Sequence, residues 1–128
     1  MGDTETSHFF LGRFRSERQF AKFLQEDYSK EDDDAPLSPF YGSQDEIFCD
    51  HDFMETGFRE TRQTLKKFFA LYSYSEHWAE ELRKRAVDAG LEDANALIVI
   101  SKDQITQPRT VTGDGFTLTY LGEIKYPI

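Results

Sequence analysis

Asp50-His51-Asp52 lies inside FCDHDFMETGF, residues 48 to 58, and offers side chains of the types that bind metals or move protons. Spacing decides whether they can act together. In a strand, Asp50 and Asp52 point to one face while Cys49 and His51 point to the other. In a helix, successive side chains fan out by about 100°. Neither conformation brings the three onto one ion. The remaining histidines, His8 and His77, form no H-x-x-x-H or H-E-x-x-H pattern, and Cys49 is the only cysteine. A Ca²⁺ loop would need a glycine and a terminal glutamate at fixed distances after its D-x-D, and both are missing. No metal or cofactor is therefore expected, and a metal-dependent hydrolase using Asp50, His51 or Asp52 stands as the alternative reading. G-x-S-x-G, G-x-x-x-x-G-K-[ST] and G-x-G-x-x-G are also absent, so neither a nucleophile elbow nor a phosphate loop is encoded.

The same carboxylates take on another meaning as part of a charge pattern. The 128 residues carry a net charge of −9. Residues 26 to 60 hold twelve carboxylates against Lys30 and Arg59, a net −10, and the other 93 residues sum to +1. If this charge lies on one surface, it repels nucleic acid and anionic membranes and attracts basic proteins. The expected contact positions are Asp50, Asp52 and Glu55 with Tyr41, Asp45 and Glu46, together with Asp32, Asp33 and Asp34. Phe40 and Tyr41 suit either an interface or an anchor to the core, whereas Phe48, Phe53 and Phe58 are expected to pin the acidic segment to the core.

The elements that position these residues follow from periodicity. HFFLGRF, residues 8 to 14, is aromatic and too short for a helix, so it reads as a strand. Ser16-Glu17-Arg18-Gln19 has the form of a capping box, and Phe20, Phe23, Leu24 and Tyr28 follow on one helical face over about 16 to 28. Prolines 36 and 39 and the EDDD run make 29 to 43 a loop. Residues 46 to 54 read as a strand and 60 to 71 as a helix. Ser75 is placed to cap a third helix with a Trp78, Leu82, Ala86 and Ala89 stripe, ended by Gly90. ALIVI at 96 to 100 reads as the central buried strand. The last strand is expected to pair with 109 to 112 through Gly113-Asp114-Gly115 and to put Phe116, Leu118, Tyr120, Ile124 and Tyr126 on one face. This order predicts one α+β domain over 1 to 128, with a mixed or mainly antiparallel sheet, about three helices on one face, and a flexible 1 to 7.

Apolar residues make up 38% of the chain, and 12 Phe, 6 Tyr and 1 Trp supply a bulky core, so a folded protein is expected despite 30% charged residues. The start of the chain lacks a basic segment followed by an apolar core, and no run approaches the ~20 apolar residues that span a bilayer. A cytoplasmic location is expected. A lone cysteine forms no internal disulfide, and Cys49 reads as a small buried apolar residue.

HFFLGRFRSERQFAKFLQEDY, SPFYGSQDEIFCDHDFMETGF, LYSYSEHWAEEL and NALIVIS, in that order, resemble the immunity 22 family of bacterial polymorphic toxin systems over roughly 8 to 124. The resemblance implies a small cytoplasmic antidote, not an enzyme, that binds and blocks a cognate toxin. Toxins of such systems are often nucleases with basic clefts, which the −10 segment would complement. An adaptor that docks its acidic surface on an unrelated basic protein is a further alternative.

Overall fold

The computed structural model describes residues 2–29 and 31–128. Five strands, β1 (Thr4–Phe14), β2 (Met54–Phe58), β3 (Ala96–Ser101), β4 (Val111–Gly113) and β5 (Phe116–Pro127), form one antiparallel sheet in the order β2-β3-β1-β5-β4. Four helices accompany it: α1 (Glu17–Leu24), α2 (Pro39–Ser43), α3 (Leu65–Phe69) and α4 (Ser75–Asp88). The class is α+β, as expected.

The helices, expected on one face, cover both. In β1, Phe9 and Leu11 point to α3 and α4, where they meet Trp78 and Leu82, while Phe10 and Phe14 point to α1 and α2, among Phe20, Phe23 and Phe40. β3 divides in the same way, with Leu97 and Val99 on the first side and Ala96, Ile98 and Ile100 on the second. A strand covered on both faces needs apolar side chains at consecutive positions, and both of these have them. β1 is the middle strand and β3 its neighbour, a correction to the placing of 96 to 100 at the centre.

β5 departs from the expected single face. Phe116, Leu118 and Tyr120 pack on the α1 and α2 side, but Ile124 and Tyr126 belong to the opposite core. The change occurs where His8 pairs with Glu123 but Phe10 pairs with Tyr120, so Leu121 and Gly122 together oppose Phe9 in a β-bulge. Gly122 has φ +95°, which a side chain resists, and Arg85 of α4 donates to the carbonyls of Leu121 and Glu123, both at 2.9 Å, on either side of it.

Several boundaries also shift. Thr4 to Ser7, expected to be flexible, pair with Ile124 to Pro127. Ser16 caps α1 by accepting from Gln19 N, and the helix stops at Leu24 rather than 28. Within the expected loop, Ser38 accepts from Tyr41 N and starts α2 with Pro39 in the first turn, where its missing N–H costs nothing. Helix α3 occupies only the end of its expected span, with Thr64 as its cap. Tyr74, not Ser75, occupies the N-cap position of α4 in a left-handed conformation (φ 61°). Gly90, also left-handed, closes that helix: Leu91 N reaches Ala86 O and Gly90 N reaches Val87 O, the Schellman pattern.

Candidate functional site

Of the expected strand at 46 to 54 only Met54 is in a strand, and the hydrogen bonds of 44 to 53 show why. Gln44 exchanges side-chain bonds with the backbone of Arg109, Glu46 accepts from Thr106 N at 3.0 Å, and Asp50 N donates to Gln104 Oε1 at 2.7 Å. Side chains therefore take the place of a ladder along 104 to 109. Asp50 Oδ1 then accepts from Asp52 N and starts a 3₁₀ turn, His51–Phe53, from which β2 continues at Met54. Local side-chain bonding of this kind competes with extended pairing.

On that turn Asp50, His51 and Asp52 serve different partners. His51 Nδ1 lies 3.1 Å from Oε1 of Glu26, which follows the C-cap of α1, and Asp52 is 80% exposed, 3.7 Å from His51 Nε2. Among the described residues, no three His, Cys, Asp or Glu side chains are grouped so as to hold a metal ion. Glu26 also accepts from the Tyr41 hydroxyl at 2.8 Å. Tyr41 is only 1% exposed, and both burial and the Glu26 carboxylate raise its pKa. Its expected place in a contact surface is therefore corrected: it is a core residue, as is Phe40. Cys49 is also buried, and burial, with Glu46 and Glu26 nearby, pushes its thiol up to about 12. A thiol held protonated in this way is a poor nucleophile.

The remaining acidic positions separate by role. Asp32 Oδ1 accepts from Asp34 N in a local turn, and Asp33 and Asp34 are exposed. Two backbone bonds, Asp27 N to Leu37 O and Leu37 N to Ile47 O, tie this acidic loop to the 44 to 50 segment. Asp45, exposed and left-handed at φ 63°, is 3.9 Å from Arg109. Glu55 is half-buried and accepts from Ser73 N through both oxygens. Backbone bonds through Leu37 thus tie the loop that carries Asp32, Asp33 and Asp34 to the segment that carries Asp45, Glu46, Asp50 and Asp52, while Glu55 is partly occupied in holding the turn before α4.

Two features at the end of the sheet were not expected. Phe48 and Phe53, read as core anchors, are 52% and 56% exposed; Phe48 keeps one edge contact with the Tyr41 ring, 6.4 Å between centroids, and Phe58 packs against the core. Phe53 also lines two hollows, of about 630 and 210 Å³, that share Glu5 and Ser101. The floor of the larger one is fixed by His8, whose Nε2–H faces the carbonyls of Lys102 and Ile105 while Nδ1 meets the Tyr120 hydroxyl at 2.8 Å. Those two carbonyl acceptors require the hydrogen on Nε2, so Nδ1 accepts from Tyr120. The only signal in the sequence was that Phe53 follows two polar residues in a segment without clear alternation.

The chain belongs to the Immunity protein 22 family, which matches residues 8–127, nearly the whole of it. Membership implies that it neutralises a toxin by binding it and points to an inhibitor rather than a catalyst. No curated protein and no solved structure matches the chain. Among the described residues, no helix is long and apolar enough to cross a membrane.

Proposed function

We propose that the chain acts in the bacterial cytoplasm as the antidote of a polymorphic toxin system, and that its target is a basic, nuclease-type toxin whose active cleft it covers. The observation that carries this reading is the charge distribution: a net −10 within residues 26 to 60 of a chain whose remainder sums to +1. A nuclease cleft is built to hold phosphates, so a folded acidic surface competes for the same field. Asp32, Asp33, Asp34, Asp45, Glu46, Asp50 and Asp52 supply that surface, and Glu55 supports its edge. The same charge disfavours nucleic acid and anionic membranes as partners of this chain.

Electrostatic capture has a kinetic signature. Oppositely charged proteins associate at up to about 10⁸–10⁹ M⁻¹s⁻¹ at low salt, against about 10⁵–10⁶ without steering. Stopped-flow mixing with the inactivated toxin domain encoded beside this chain's gene is expected to show association slowing at least about tenfold between ~20 mM and ~500 mM NaCl, as the Debye length shrinks. A rate independent of salt would remove the basic target from the account and leave only toxin binding.

A further inference from the structure

We infer that the toxin is anchored at the end of the sheet where β1 begins and β3 ends, and that the two hollows there receive a toxin segment carrying an apolar side chain beside lysine or arginine. The inference rests on the proposed acidic capture of a basic toxin and specifies where the complex is held once formed.

Three observations converge on this place. Phe53, exposed over more than half its surface, stands between the hollows and lines both. A large aromatic side chain left in solvent beside concave space is the anatomy of a binding hot spot, because a partner can exclude water from both of its faces. The rim charge is one-sided: among the described residues, Glu5, Asp52, Glu55, Asp103 and Glu123 line the hollows against Lys102 alone. Glu5 is engaged with Ser101 at 2.6 Å, Glu55 with Ser73 N and Glu123 with Lys102 at 3.1 Å; Asp52, 3.7 Å from His51 Nε2, and Asp103, which accepts from Gln104 Nε2 at 3.4 Å, are the more exposed. Lastly, the smaller hollow is walled by Tyr74, a non-glycine residue at φ 61° that remains 45% exposed. A strained conformation that leaves an aromatic ring facing a hollow is the kind of cost retained at binding sites.

Tyr28, Ile47 and Phe48, exposed apolar side chains within the acidic 26 to 60 stretch, compete for the same role. The chemistry at the sheet end favours the hollows. An apolar toxin side chain covers Phe53, and a neighbouring lysine or arginine meets Asp103 on the larger hollow or Asp52 on the smaller, with its alkyl stem resting on the ring.

Surface plasmon resonance with the inactivated toxin domain encoded beside the gene separates anchoring from capture. Phe53→Ala is expected to speed dissociation by about thirtyfold, the scale of a hot-spot loss, with little change in association. Asp103→Lys is expected to speed dissociation by about tenfold and, as a charge reversal, to slow association as well. Asp33→Lys with Asp34→Lys should slow association and leave dissociation within about threefold. Circular dichroism checks that each variant is folded, which the exposure of these side chains favours. Dissociation unchanged by Phe53→Ala, or accelerated instead by Phe48→Ala, overturns the anchor while leaving acidic capture intact. Failure of the unaltered chain to bind the toxin overturns the functional reading itself.

Discussion

Reversing Asp33, Asp34 and Asp52 to lysine together is expected to slow association with the toxin by about 10- to 100-fold at low ionic strength, and to flatten its salt dependence. Each reversal moves the charge by two, so the three carry the chain from −9 to −3. All three residues are exposed, and none of their carboxylates is a helix cap. Fold stability should therefore change by less than about 0.5 kcal/mol, the usual range for surface substitutions. Asp50 and Asp32 are unsuitable for reversal, because their carboxylates accept from the backbone N–H of Asp52 and of Asp34. An association rate within about twofold of the unaltered chain would show that Asp33, Asp34 and Asp52 do not steer the encounter.

The largest effect on stability is expected at Trp78. It is 1% exposed, packs 4.9 Å from the Phe9 ring and 5.9 Å from Phe69, and donates from Nε1 to Ser73 O at 3.0 Å. Trp78→Ala leaves a cavity between β1 and α3 and an unpaired carbonyl in the turn that carries Tyr74, at a cost of about 4 kcal/mol. Trp78→Phe keeps much of the ring volume and should cost about half as much. Urea denaturation measures both as shifts in midpoint at unchanged slope. A loss below about 1 kcal/mol for the alanine variant would mean that the two aromatic neighbours close the gap on their own. Because the turn before α4 also holds Glu55, this substitution is also expected to disturb the smaller hollow.

How much of this was legible depended on whether a signal repeats. β1 and β3 announced themselves through unbroken apolar runs, and those runs also carried the clue that both faces of the sheet are covered. The expectation of helices on one face overlooked it. α4 was legible from its stripe and Gly90, since a left-handed closing residue is a local requirement. The bulge in β5 was not, because one glycine in YLGEIKY does not show that the register slips there; that depends on Phe9 across the ladder and on Arg85 from α4.

The acidic segment was legible in charge but not in facing. Twelve carboxylates in 26 to 60 are visible without a structure. Which aromatic residues between them turn inward is not, since 44 to 53 follows neither a period of 2 nor one of 3.6. Tyr41 is drawn into the core by α2, whose start depends on Ser38 and Pro39, while Phe53 is pushed outward by a three-residue turn that Asp50 begins. The hollows at the sheet end bring Glu5, Asp103 and Glu123 together from three distant parts of the chain, and no local pattern encodes that meeting.

Titrating the purified toxin domain encoded beside the gene with this protein, and following the toxin's activity on its own substrate, tests the central claim most directly. Neutralisation by binding predicts a linear fall in activity that reaches zero at one equivalent, with a stable complex of the two chains recovered at that point. Full toxin activity in the presence of a several-fold excess of the folded protein would contradict it.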